Sequence, residues 1–280
     1  MYFNKQHTIA EPITYTGIAL HTGQDVTMTC LPAEEDTGIC FRRVDLPNKP
    51  MIKARADNIV STQRCTSIGC REEKWSIHTI EHLMAAISMK GIDNLIIELD
   101  GEEPPVTDGS AKVFMSLFED IDLIEQKKEG NIIKVKEPIY VKDDEATLVV
   151  LPYDGFRVTY TLSYQHPVIG TQFVDYEIDF NFFKKEVAPA RTFGFAEEVE
   201  RLHQMGLALG GSLDNAVLID ENDTVNSLRF EDEFVRHKVL DLIGDMAVNG
   251  RVKGHFVGVK SGHALNAELS NKIMLQQEAE

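Results

Sequence analysis

The residues best suited to chemistry lie in a helix-forming stretch near the end of the chain. Between Arg229 and Asp245 the sequence reads RFEDEFVRHKVLDLIGD, and its apolar residues recur at the spacing of a helix that is buried over much of its girth. His237 and Asp241 are four residues apart in this stretch, so they share one helix face. A His-x-x-x-Asp pair can supply two ligands to zinc, and a bound cation would offset the cost of burying a carboxylate beside an imidazole. The alternative that this helix alone leaves open is a His–Asp salt bridge inside a helical core.

A second helix with reactive side chains is predicted from about His78 to Lys90, where apolar residues recur at helical spacing before Gly91. Glu81 and His82 stand together near its beginning. Adjacent helical residues point about 100° apart, so the two side chains can flank one point in space while only one of them binds it. Taken alone, the pair also fits a solvated helix face. The sequence has no His-Glu-x-x-His, the motif of the common zinc proteases.

Two further histidines lie in turns. His263 follows a predicted strand and is surrounded by small residues in KSGHALN, which favours exposure in a cleft. His21 lies in the turn HTG between two predicted strands, and on its own it is interpreted as a surface turn residue.

Composition limits the classes of partner. The chain has 280 residues, of which 43% are hydrophobic and 26% charged, as expected of a globular protein with a real core. Its net charge of −17 argues against nucleic acid as a partner, since binding to phosphates requires a basic surface. No apolar run reaches the length that spans a bilayer, and the N-terminal residues lack the apolar region of a signal peptide. We therefore expect no stable membrane anchor.

The four cysteines all fall in the first quarter of the chain, at Cys30, Cys40, Cys65 and Cys70. Without a secretory signal, their spacing predicts reduced thiols in a cytoplasmic protein. A structural zinc site with four cysteine ligands is the alternative, although the paired close spacings of such sites are missing.

The order of predicted elements indicates an α+β protein with two similar domains, each a β-sheet packed with helices. The polar segment 122–131 is the expected boundary, which gives domains at 1–128 and 129–280. In each part, a helix with a histidine in its first turns ends at a glycine and is followed by an apolar strand. This similarity is a weak indication of internal duplication. A β-prone stretch is predicted at 173–183, a helix at 197–205, and a frayed polar tail at the C-terminal QQEAE.

Four motifs in order reveal a family resemblance: SIHTIEHL at 76–83, ARTFGF at 190–195, RFEDEFVRHKVLD at 229–241 and KSGHALN at 260–266. Together they resemble the UDP-3-O-acyl-N-acetylglucosamine deacetylases, zinc enzymes of the committed step of lipid A biosynthesis. The resemblance covers nearly the whole chain, from TGIALHTG at 16–23 to Asn266.

The resemblance implies a role for each matched residue. It gives three zinc ligands and leaves a fourth position open, as a catalytic zinc requires: His82, His237 and Asp241. It makes Glu81 the general base that takes the proton of the attacking water, and His263 the general acid or electrostatic partner that helps the amine leave. It assigns the remaining catalytic roles to Asp245, which orients the histidine, to Thr192, which stabilises the oxyanion, and to Lys238, which lies beside a ligand.

The implied substrate is an anionic nucleotide sugar with a fatty acyl chain, UDP-3-O-(3-hydroxyacyl)-N-acetylglucosamine, which is hydrolysed to acetate and the free amine. Tyr164 is the expected aromatic partner of the uracil, and Lys260 the expected diphosphate contact. The acyl chain is expected to contact Phe193, Ala196, Val199, Ala208 and Leu218, positions that are equally compatible with plain core. We expect a monomer with its active site at the junction of the two domains.

Two other functions compete with this hypothesis. A zinc amidohydrolase that acts on a different acylated sugar would be indifferent to the UDP moiety. A ligand-binding protein could keep the fold without the turnover, but then a ligand or base position should be broken, and none of the matched positions is. Iron can replace zinc at a site with nitrogen and oxygen ligands.

Overall fold

The computed structural model describes residues 4–278, within which the chain forms 18 β-strands and six α-helices. The first half contains β1 (Lys5–Ile9), β2 (Ile13–Ile18), β3 (Asp25–Pro32), β4 (Ile39–Arg43), β5 (Met51–Lys53), β6 (Ile59–Ser61), β7 (Ser67–Cys70), β8 (Trp75–Ile77), α1 (Glu81–Lys90), β9 (Leu95–Leu99), α2 (Lys112–Glu119) and β10 (Leu123–Glu129). The second half contains β11 (Ile132–Lys134), β12 (Ile139–Lys142), β13 (Thr147–Leu151), β14 (Phe156–Ser163), β15 (Thr171–Glu177), α3 (Phe180–Phe182), β16 (Phe193–Phe195), α4 (Ala196–Gln204), β17 (Val217–Ile219), α5 (Glu233–Ala247), β18 (Arg251–Val259) and α6 (His263–Glu278). Short 3₁₀ and π-helical segments lie at Ala56–Asn58 and Phe183–Val187.

The two halves repeat one arrangement of strands. The main sheet of the first half has the order β2-β3-β9-β4-β5, and that of the second half has the order β12-β13-β18-β14-β15. In both sheets the last strand of the chain order lies in the centre, antiparallel to one neighbour and parallel to the other. A helix comes directly before that central strand in each half, α1 before β9 and α5 before β18. The expected α+β class with two similar sheet-and-helix units is confirmed.

Helices α1 and α5 form the centre of the molecule. All residues of α1 except Ser88 and Lys90 are buried, which is why its sequence has no clear polar face. Gly91 ends the helix in a left-handed conformation, with φ of 84°, and its N–H bonds the carbonyl of Ile87. At its other end, α1 begins at Glu81, three residues later than the helix that was predicted from His78.

The two central helices touch through their backbones. A Cβ atom placed on Gly244 of α5 would lie only 2.0 Å from the carbonyl oxygen of Glu81, the first residue of α1. Glycine is therefore required at this position, because any side chain would force the helices apart. The contact sets the distance between the reactive residues of the two halves.

The C-terminal segment differs from its prediction. The tail expected to fray is helical as far as Glu278, within α6, and the last two residues lie outside the described residues. Leu265, Leu269 and Ile273 are spaced four residues apart and all are buried, so one apolar stripe holds the helix against the core.

The stretch 173–183, predicted to be β-prone, is only partly a strand, since β15 ends at Glu177 and a helical turn begins at Phe180.

The expected connection between the halves is partly a strand. Segment 122–131 contains β10, which pairs with β1 of the first half, whereas β11 pairs with β18 of the second half. The division into domains at 128 and 129 stays a prediction. None of the helices in residues 4–278 is both long enough and apolar enough to cross a membrane.

Replacing Gly244 with alanine should weaken the packing of α1 on α5. Overpacking a filled interface costs about 1–3 kcal/mol, so we expect the free energy of unfolding, measured by urea denaturation, to fall by that amount. Gly194→Ala is the matched control, because a Cβ atom there meets no other atom within 4 Å. Equal stability of the Gly244→Ala protein and the wild type would contradict the backbone contact.

Candidate metal centre and active site

Three buried side chains from both halves converge at the contact between α1 and α5. His82 comes from the first turn of α1, and His237 and Asp241 come from successive turns of α5. Their potential ligand atoms all lie within 4.8 Å of one another. The Nε2 atoms of His82 and His237 lie 3.4 and 3.3 Å from Oδ1 of Asp241. The sequence motifs therefore meet in a cluster of the size that one metal ion occupies.

The orientation of His237 leaves one of its nitrogen atoms for a metal. Its Nδ1 atom lies 3.2 Å from the carbonyl oxygen of Ala190, which can only accept, so Nδ1 carries the proton. Burial lowers the pKa of His237 to about 3, so the ring is neutral and Nε2 has a free lone pair. A carbonyl that fixes the tautomer in this way is the usual support of a histidine ligand.

The Asp241 carboxylate supplies a matching anionic ligand. Its Oδ2 atom accepts a hydrogen bond from Nζ of Lys238 at 2.8 Å, whereas its buried Oδ1 atom has no hydrogen-bond donor among the described residues. Burial raises the pKa of Asp241, but its electrostatic interactions with His237 and Lys238 outweigh burial and hold the pKa well below its ordinary value. An ionised, unpaired oxygen that faces a nitrogen lone pair fits a bound cation, so the residues present suit a metal ion.

Lys238 remains charged beside this carboxylate. Burial lowers its pKa, but the hydrogen-bonded charge of Asp241 outweighs burial and raises the pKa above the ordinary value of lysine. Its Nζ atom also lies 5.4 Å from the centre of the Phe193 ring, within the range of a cation–π contact. The ammonium group is therefore held at one side of the site.

Glu81 lies beside the ligand cluster without joining it. Its Oε2 atom accepts a hydrogen bond from the main-chain N–H of Thr66 at 3.0 Å. Burial raises the pKa of Glu81, while electrostatic interactions with His263 and His82 lower it and those with the Asp245 and Asp241 carboxylates raise it. A buried carboxylate whose pKa is raised toward neutrality has the properties of a general base.

His263 and Asp245 form an ion pair opposite Glu81. The Nδ1 atom of His263 donates to Oδ2 of Asp245 at 2.9 Å, and Nδ2 of Asn266 donates to the same oxygen at 2.8 Å. Burial lowers the pKa of His263, but the charge and hydrogen bond of Asp245 outweigh burial and raise the pKa to about 9. The histidine is therefore protonated near neutral pH and can act as an acid. Only 10% of the His263 side chain is accessible, and the residue lines the cavity beside the cluster.

A cavity of about 260 Å³ opens beside the cluster. Of the residues singled out in the sequence, those that line it are Glu81, His82, Tyr164, Thr192, Phe193, His237, Lys238, Asp241 and His263. Asp245 lies behind His263. The structure thus brings together the acid, base and ligand candidates around one space.

Five residues expected to bind substrate are not among those that line this cavity: Lys260, Ala196, Val199, Ala208 and Leu218. Lys260 pairs with Glu145 at 2.9 Å. The four apolar positions all belong to the segment formed by β16, α4 and β17, two parallel strands joined by a helix. Their roles as substrate contacts stay predictions.

The cavity wall also contains residues that the sequence did not single out as functional, among them Leu20, His21, Arg64 and Glu198. His21, expected to be a surface turn residue, accepts a hydrogen bond from the N–H of Ala208 at its Nδ1 atom, 3.3 Å away. A turn of the first half is therefore attached to the β16–α4–β17 segment. Only this tertiary contact shows that His21 attaches the turn to the segment, because the residues around it in the sequence give no sign of it.

A buried ion pair positions Thr192, the residue that directly precedes β16. Both carboxylate oxygens of Glu233 accept from the Arg191 guanidinium, at 2.9 and 3.0 Å, and the main-chain N–H of Arg191 donates to the same carboxylate at 2.9 Å. Two parallel hydrogen bonds of this kind fix both the distance and the relative orientation of the arginine and glutamate side chains. Thr192 is thereby held at the cavity by the residue before it.

Comparison with known proteins identifies the family. Residues 6–275 match the family model of UDP-3-O-acyl N-acetylglycosamine deacetylase. The UDP-3-O-acyl-N-acetylglucosamine deacetylase of Idiomarina loihiensis is 45% identical over 98% of this chain and 91% of its own length. The deacetylase of Syntrophotalea carbinolica with the same name is 46% identical over 96% of this chain and 87% of its own length. The chain belongs to the UDP-3-O-acyl N-acetylglycosamine deacetylase family.

Proposed function

We propose that this protein removes the N-acetyl group of UDP-3-O-(3-hydroxyacyl)-N-acetylglucosamine by zinc-dependent hydrolysis, the committed step of lipid A biosynthesis. The observation that carries the proposal is the convergence of His82, His237 and Asp241 beside Glu81 and His263 in one cavity. Family membership supports the reaction, and nitrogen and oxygen ligands of this number support zinc.

In this proposal His82, His237 and Asp241 hold the zinc ion. When bound, the ion supplies Lewis acidity for an amide carbonyl and for the water that attacks it. The protein contributes the buried, hydrogen-bonded setting that keeps the ligands in place.

The side chains around the ligands are proposed to move the protons. Glu81 takes a proton from the attacking water, for which its raised pKa is suitable. The hydroxyl of Thr192 donates to the oxygen of the acetamide as negative charge develops there. Protonated His263 donates to the nitrogen of the leaving amine.

The substrate is proposed to extend from the cavity in two directions. Tyr164 lies with its ring centre 6.2 Å from that of Phe193 and 6.0 Å from that of Phe195, which suits stacking against uracil. Lys260 is proposed to contact the diphosphate. Its ion pair with Glu145 lies at the surface, where such pairs are weak, so the diphosphate can replace Glu145 as its partner.

The acyl chain is proposed to follow the β16–α4–β17 segment, past Ala196, Val199, Ala208 and Leu218. The apolar side chains of Met205, Leu209 and Leu213 in the same segment are 59%, 50% and 47% exposed. Exposed apolar side chains grouped in this way favour an apolar ligand.

We also propose that the protein acts as a monomer in the cytoplasm, without a nucleic-acid partner. Its four cysteines are free thiols, three of them buried, as expected in a reducing compartment. The net charge of −17 supports the absence of a nucleic-acid partner.

Metal removal tests the proposal most directly. We expect the metal-stripped protein to leave UDP-3-O-(3-hydroxymyristoyl)-N-acetylglucosamine intact and to release acetate once zinc is restored, as followed by chromatography of the products. Zinc binding without product would overturn the proposed substrate. Failure to bind zinc would indicate that the cluster is a structural salt bridge.

Substitution of the base and of a ligand should have different effects. Glu81→Ala should retain zinc and lose about 100- to 10,000-fold in kcat, the usual contribution of a positioned base. Asp241→Ala should lose zinc affinity first, because it removes a ligand. Elemental analysis and kcat of both variants give the comparison, and equal metal content with equal activity in the two would refute these roles.

Asp245→Asn should shift the pH dependence of the reaction. The Asp245 anion raises the pKa of His263 to about 9, so its neutralisation lowers that pKa and the acid loses its proton at lower pH. We expect the alkaline limb of kcat/KM to move to lower pH. Asp175→Asn is the control, because this carboxylate pairs with Arg157 on the β14–β15 strands; an identical shift in both variants would exclude a specific effect.

A further inference from the structure

Thr66 is a fully buried residue that lies outside the family motifs and contacts the groups on both sides of the site. It immediately precedes β7. Its main-chain N–H donates to Oε2 of Glu81 at 3.0 Å, and its carbonyl accepts from the N–H of Ile80 at 3.3 Å. The start of α1 is thus attached to the residue that precedes β7, and the Glu81 carboxylate has a fixed donor.

The hydroxyl of Thr66 reaches across to the second half. It donates to Oδ1 of Asp245, because a carboxylate can only accept. The other oxygen of Asp245, Oδ2, is occupied by His263 and Asn266. Both oxygens are therefore bonded, and the plane of the carboxylate cannot rotate without breaking a buried hydrogen bond.

The same hydroxyl lies close to the imidazole that this carboxylate orients. Oγ1 of Thr66 is 3.5 Å from Nδ1 of His263, and the hydroxyl hydrogen already points to Asp245. A lone pair of Oγ1 therefore faces the Nδ1–H group, which favours the ring orientation that leaves Nε2 directed to the cavity. Nε2 of His263 lies 3.9 Å from Asp241, at the metal side of the ring.

We propose that Thr66 is a positioning residue for the deacetylation, whose hydroxyl holds Asp245 so that Asp245 holds His263, and whose N–H holds Glu81. One residue thereby sets the proton acceptor and the proton donor relative to each other. The inference rests on the proposed function, and turnover by the wild type in the same assay tests that function separately.

The test replaces the hydroxyl with a methyl group of similar size. Thr66→Val keeps the main-chain bond to Glu81 and should lower kcat about 10- to 100-fold, as expected for an outer partner of a metal site. KM and zinc content should stay near those of the wild type. Thr66→Ser restores the hydroxyl and should recover most of the lost kcat.

Thr8→Val is the matched control for the removal of a buried hydroxyl. Thr8 lies on β1, where its hydroxyl donates to the carbonyl of Asn94 and accepts from the N–H of Ala33. We expect this variant to lose thermal stability with unchanged kcat. A fall of kcat in Thr8→Val equal to that in Thr66→Val would overturn the proposal, because general destabilisation would then explain both.

A double-mutant cycle tests whether Thr66 acts through Asp245. If it does, adding Thr66→Val to Asp245→Asn should lower kcat little further, since residues that act as a unit are not additive. If the losses of kcat caused by the two substitutions multiply in the double variant, the proposal is overturned. It is also overturned if the loss of kcat in Thr66→Val is explained by a loss of bound zinc. If Thr66→Val does not fold, the same cycle with Thr66→Ala and Thr66→Ser decides, and equal kcat in these two variants would refute a role for the hydroxyl.

Discussion

The backbone contact between Gly244 and Glu81 is the constraint on which the site depends. Packed helices usually lie 8–10 Å apart, at a distance set by the side chains between them. Here a glycine removes the side chain at the point of closest approach. His82 on α1 can therefore share a metal with His237 and Asp241 on α5.

This close contact concentrates buried carboxylates, and the surrounding residues differ in how they neutralise each one. Asp241 has a lysine on one oxygen and the ligand cluster on the other, whereas Asp245 has donors on both. Glu81 has a main-chain donor on one oxygen and a raised pKa. Unequal partners give chemically identical groups different basicities, as the proposed roles of ligand, base and orienting anion require.

The sequence predicts the parts of this site that depend on local spacing. The His237–Asp241 pair and the two central helices follow from periodicity, and the fold class follows from the order of elements. The sequence does not predict helix α6. Leu265, Leu269 and Ile273 form an apolar stripe, but the polar residues between them obscure the helical periodicity.

Other features have no local signal. Thr66 and His21 contact residues far along the chain, and no sequence periodicity predicts such contacts. The pairing of His263 with Asp245 was expected only from the family resemblance. The sequence did not predict that His263 begins helix α6, because the small residues around it indicate a loop.

The division of the ligands between the two halves has a consequence for biosynthesis of the protein. A ribosome releases the first half while His237 and Asp241 have yet to be translated, and N-terminal units generally fold first. The nascent chain then carries only one of the three candidate ligands, His82. A metal ion that needs all three residues can therefore bind only after Asp241 has been translated and the two halves have packed together.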